Sequence, residues 1–92
     1  MAFLIIEFAA KKTDLLKLRD EILTAIQHRN ITVDASFPPE EVGILSDIEQ
    51  TALFRYRWRL QLLSEADEAI LEALKKSFLY KEVHGIRLEG NA

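Results

Sequence analysis

The chain has no cysteine. Disulfides, zinc–thiolate sites and cysteine nucleophiles are therefore excluded, and the composition fits a reducing compartment. Only three glycines and two prolines occur, and no linker, low-complexity segment or internal repeat is evident. The two histidines, His28 and His84, belong to no metal-spaced set, and no Ser/His/Asp constellation or glycine-rich phosphate loop accompanies them. The N-terminal apolar run Ala2-Phe3-Leu4-Ile5-Ile6 stops at Glu7 and lacks a preceding basic region. It is too short for a signal peptide or a membrane span. The expectation is a soluble, cytoplasmic, non-catalytic protein with no metal and no cofactor.

An excess of positive charge is also missing. Twelve basic residues stand against fifteen acidic ones, for a net charge of −3. Proteins that bind nucleic acid non-specifically are usually strongly basic, so the overall charge counts against that role.

What is present is a chain of 92 residues, 49% hydrophobic and 29% charged. This is one domain, residues 1–92, and it can bury roughly 60–65% of its unfolded surface without staples. The most informative stretch is 52–63. Ala52, Phe54, Tyr56, Trp58, Leu60 and Leu62 alternate with Arg55, Arg57, Arg59 and Gln61. A period of two defines a strand with one buried face and one open face. At helical spacing the same aromatics would scatter around the whole circumference, so a helix over 47–63 is rejected despite the capping-box pattern Ser46-Asp47-Ile48-Glu49.

Other elements follow from similar patterns. Ala2–Phe8 predicts a central strand with Leu4, Ile6 and Phe8 on one face and Phe3, Ile5 and Glu7 on the other. Thr13 or Asp14 can cap a helix with a stripe at Leu15, Leu18, Ile22, Ala25 and Ile26, ended by Arg29-Asn30. Ile31–Phe37 predicts a second strand, with Ile31, Val33, Ala35 and Phe37 facing one way, stopped by Pro38-Pro39. Ser64 is expected to cap a second helix with Asp67 at the reciprocal position, and Ala66, Ala69, Ile70, Ala73, Leu74, Ser77 and Phe78 as its stripe. Glu82–Glu89 predicts a last edge strand, with His84 inward beside Ile86 and Leu88. Residues 38–50 are expected to form a long loop folded over an edge of the sandwich.

The order β-α-β-β-α-β defines an α+β fold of the ferredoxin-like type. Two helices cover one face of a four-stranded antiparallel sheet, with the first and third strands central. The open face should then carry Phe3, Ile5, Glu7, Asp34, Arg55, Arg57, Arg59, Arg87 and Glu89.

Several readings of that face are open. The plainest is solvation, with the arginines pairing across strands to Glu7, Asp34 and Glu89. A second is a protein interface: apolar residues rimmed by arginine and acids fit a surface that binds a partner protein or a second copy as a homodimer. Its candidate residues are Phe3, Ile5, Glu7, Asp34, Arg55, Arg57, Arg59 and Arg87, with Val42, Ile44, Leu45 and Ile48 as a second, loop-borne set. A third is binding of single-stranded nucleic acid or an anionic ligand. The RRM family is similar in topology and size, but no Gly-Phe-Gly-Phe motif occurs, so the resemblance is one of topology and not of motif. An enzyme is the weakest class, because nothing selects a reaction. The favoured expectation is an interaction or assembly module acting through the open face or through residues 38–50.

Overall fold

The structure, a computed structural model, describes residues 2–46, 52–78 and 83–90. The elements are β1 (Ala2–Ala10), α1 (Leu15–His28), β2 (Val33–Asp34), β3 (Glu40–Ser46), β4 (Leu53–Leu62), α2 (Glu68–Ser77) and β5 (Val83–Gly90). All pairings are antiparallel. β1 and β4 are central, β5 flanks β1, and β2 and β3 both lie along the far side of β4. This is the ferredoxin-like α+β sandwich, with five strands instead of four.

The extra strand comes from the segment expected to be a loop. Of the predicted strand Ile31–Phe37, only Val33–Asp34 pairs as a strand, with Leu62 and Gln61. The chain then leaves the sheet and returns as β3, where Glu40 lies opposite Arg57 and Glu41 opposite Tyr56. Asp34 opposes Gln61 while Glu40 opposes Arg57, so the five residues 35–39 span the length of three, 58–60. Pro38-Pro39 interrupts the edge strand, because proline has no N–H to give to a ladder, but it does not end it. Phe37 was expected among the inward residues; on this excursion it is 78% exposed. Ile48 and the rest of 47–51 lie outside the described residues.

Strand alternation builds the core. Leu4, Ile6, Phe8 and Ala10 of β1 meet Tyr56, Trp58 and Leu60 of β4 and Ile86 of β5 on the helix side. Ile22 and Ile26 of α1, and Leu71, Leu74 and Phe78 in and just after α2, close over them. The rings of Phe8 and Tyr56 stack with centroids 5.5 Å apart, an offset contact worth roughly 0.5–1.5 kcal/mol beyond area burial.

Three local expectations are corrected. α2 is capped by Asp67, whose carboxylate accepts from the Ile70 amide at 3.0 Å. The Ser64 hydroxyl instead accepts from the amide of Thr32, just before β2, at 2.9 Å. With the helix starting at Glu68, Leu71 joins the buried stripe and Ala69 is exposed. At α1 a 3-10 turn, Lys12–Asp14, precedes the helix and neither Thr13 nor Asp14 makes a side-chain cap. The exit is as expected: Asn30 adopts a left-handed φ of 58°. In β5, Glu7 pairs with Gly85 and Phe8 with Val83, so His84 is a bulge residue. The bulge shifts the alternation, so Val83 packs against the core and His84 is exposed.

Candidate functional site

The uncovered sheet face is organised around β1. Phe3, Ile5, Glu7 and Ala9 lie in line along it. β4 sets Gln61, Arg59, Arg57 and Arg55 opposite these four in turn. On the other side β5 sets Glu89 opposite Phe3, Arg87 opposite Ile5 and Gly85 opposite Glu7. Each arginine is exposed, as the alternation requires.

Ile5 was expected to be an exposed apolar contact. It is 1% exposed, and Ala9 is 0%. Ile5 lies in register between Arg59 and Arg87, whose aliphatic stems can lie along apolar surface while the guanidiniums stay in water. Phe3 remains partly exposed, with the Arg59 guanidinium 4.6 Å above its ring, a cation–π contact worth about 0.5–1 kcal/mol at such a site.

Among the described residues the charges of this face form one network, with Arg55 and Arg57 outside it. Arg87 Nη1 donates to Glu7 Oε1 at 2.5 Å, and Arg87 Nε lies 3.7 Å from Glu89 Oε2. Glu89 Oε1 is in turn 3.9 Å from Arg59 Nη2. The hydrogen bond from Arg87 holds the Glu7 carboxyl below its ordinary range against the opposing effect of burial, and the Arg87, Arg57 and Arg55 charges add to it. Glu7 therefore pairs toward β5 and not toward the arginine strand. Asp34 pairs with no arginine. Its carboxylate accepts from the Ser36 amide at 2.9 Å and from the Ser36 hydroxyl, which hold its pKa down. Among the described residues, no carboxylate oxygen lies within 4.0 Å of the Arg55 or Arg57 guanidinium.

The excursion of 35–39 turns the edge of this face into a notch of about 460 Å³. Phe3, Phe37 and Pro38 give it apolar walls, and Arg57, Arg59 and Gln61 form its sheet side. Asp34 and Glu40 complete its lining. The Trp58 indole Nε1 donates to the Phe37 carbonyl at 2.9 Å, which ties the excursion to the core. Phe3, Asp34, Arg57, Arg59 and Gln61 were expected on this face; Phe37, Pro38 and Glu40 were not. The signal that could have found them was the Phe-Pro-Pro run, read as an interruption beside a strand.

The second candidate set lies on β3, away from the notch. Val42 is 40% exposed and Ile44 56%; Leu45 belongs to the same strand. Register shifts between Glu41 and Gly43 and between Ile44 and Ser46 make β3 irregular. No group of three or more histidine, cysteine or acidic side chains that could hold a metal occurs among the described residues. None of the helices described is long and apolar enough to cross a membrane.

The chain matches no protein-family model and no curated protein sequence. Its fold is similar to the solution structure of the C-terminal domain of the MgtC protein from Mycobacterium tuberculosis, with a TM-score of 0.59 and 14% identity over 97% of this chain and 86% of that one. It is also similar to part of a formyltetrahydrofolate deformylase from Pseudomonas putida KT2440, with a TM-score of 0.54 and 14% identity over 98% of this chain. The chain spans 28% of the deformylase's length. At this identity the likeness establishes the fold: a small ferredoxin-like domain of a kind that also occurs inside longer chains.

Proposed function

We propose that this chain is a cytoplasmic, non-catalytic interaction module whose open sheet face docks a protein, either a second copy of itself or a subunit of a larger assembly. The observation that carries the reading is the pair Arg55 and Arg57, exposed on a face no helix covers and, among the described residues, lacking a carboxylate within 4.0 Å. Arginine beside an aromatic ring is the side-chain chemistry enriched at interfaces and in their hot spots. Phe3 under Arg59 and the exposed Phe37 supply the rings. The mixed signs on the face favour a protein over a polyanion, since a phosphate chain crossing it would also meet Glu7, Asp34 and Glu40.

The test is light scattering on the wild type and on Arg57→Glu. The wild type is expected to associate, and the variant to lose association while keeping its circular-dichroism spectrum. A wild type that is monomeric and retains no partner in a pull-down would overturn the reading.

A further inference from the structure

The notch beside Arg57 carries an inference separate from protein docking. We propose that it is a binding site for a small aromatic monocarboxylate. The carboxylate would sit on the Arg57 guanidinium and the ring between Phe3 and Phe37.

Three features converge on that ligand. The first is shape. Five residues span the length of three at 35–39, and the resulting space of about 460 Å³ lies within the roughly 300–1,000 Å³ usual for small-molecule sites. Trp58 anchors the wall through the Phe37 carbonyl, so the exposed Phe37 belongs to a segment hydrogen-bonded to the core. The second is the apolar lining. Phe3, Phe37 and Pro38 present two rings and a pyrrolidine to the same space, which suits a planar apolar body.

The third is the charge left over. Arg59 is engaged by Glu89 and stacked on Phe3. Asp34 is engaged by Ser36, so it asks for no ammonium group. Among the described residues, Arg57 is the remaining cation lining the notch, and its planar fork matches a carboxylate with two parallel hydrogen bonds. Glu40 stands across the ladder from Arg57 and Asp34 lines the same space; together they disfavour a second negative charge. The chemistry thus selects a monoanion with an aromatic body.

The experiment is isothermal titration calorimetry of the whole chain with naphthoate, with its neutral amide naphthamide as control. Naphthoate is expected to bind, and naphthamide to bind at least about tenfold more weakly, the loss of one charge-assisted bidentate contact. Arg57→Ala should weaken naphthoate by about the same factor, and Arg57→Lys should recover only part of it because it lacks the fork. Phe37→Ala, which touches no charge, should weaken both ligands. Circular dichroism confirms that each variant folds. Absence of naphthoate binding, equal affinity for the amide, or an unchanged Arg57→Ala would each overturn the site. Equally strong competition by inorganic phosphate would also overturn it, by revealing an anion site indifferent to the ring. A chain that is monomeric, retains no partner in a pull-down and binds naphthoate refutes the docking reading alone; an associating chain that does not bind it refutes the notch alone.

Discussion

The indole N–H of Trp58 reaches out of the core to the carbonyl of Phe37, 2.9 Å away and outside every strand. The ring is wholly buried, yet its polar edge organises the surface excursion that forms the notch. Buried tryptophan N–H groups usually find such a partner; here the partner sits where the edge strand is broken.

Trp58→Phe is expected to lower stability by about 2 kcal/mol, combining a lost hydrogen bond with an under-filled core. Urea titration followed by circular dichroism measures it. The same variant should loosen 35–39, which proteolysis near Phe37 would report. An unchanged urea midpoint would mean that the bond contributes nothing.

The Glu7–Arg87 pair predicts a pH dependence. Glu7 titrates in the folded chain below its ordinary value of 4.5, chiefly because Arg87 donates to it. A depressed folded pKa stabilises above the unfolded pKa, and that contribution disappears as pH falls through the folded value. Glu7→Gln should therefore cost under about 1 kcal/mol at neutral pH, as expected for a partly exposed pair. The gap between variant and wild type should close as pH falls through the lowered titration range of folded Glu7. Thermal melts across that range check the sign; a gap that widens in acid would contradict the assignment.

Asp67→Ala should destabilise by about 1 kcal/mol, the usual loss when an N-cap carboxylate is removed. Ser64→Ala should leave α2 intact and act instead at Thr32, whose amide loses its acceptor. Amide hydrogen exchange separates the two: the Ile70 amide should lose protection in the first variant and the Thr32 amide in the second.

Asn30 has a φ of 58°, a conformation that costs an ordinary L-residue roughly 1–2 kcal/mol. Asn30→Gly is expected to be tolerated within about 0.5 kcal/mol, while Asn30→Val should lose about 1–2 kcal/mol. Denaturant midpoints for the pair provide the comparison.

Much of this fold was legible because β1 is a long apolar run and β4 is long and alternates strictly. Tyr56, Trp58 and Leu60 were assigned inward from the period of β4, Leu4, Ile6 and Phe8 were set on the matching face of β1, and all six lie in the core. Arg55, Arg57 and Arg59 were placed outward by the same rule, and each is exposed. β3 was hidden because two prolines, two glutamates and Gly43 oppose strand propensity; pairing with β4 overrides that local preference. His84 was placed inward because a one-residue bulge leaves no mark in the sequence, yet it exchanges the sides of His84 and Val83 while Ile86 and Leu88 keep theirs. Ile5 was misjudged as exposed because alternation gives a side chain's direction but not what its neighbours' stems cover. The notch depends on residues 35–39 passing beside 58–60, a relation between distant segments that neither pattern contains.

The irregular far edge of the sheet has a consequence for how the protein behaves when concentrated. Growing fibrils need a flat, unbroken strand as template. This edge offers Pro38-Pro39, two register shifts and a pair of glutamates, all features that block strand-by-strand addition. At the other border, β5 sets Arg87 and Glu89 on its open face and carries a bulge at His84. A crowded solution of this chain should therefore stay clear and free of amyloid-dye-positive material.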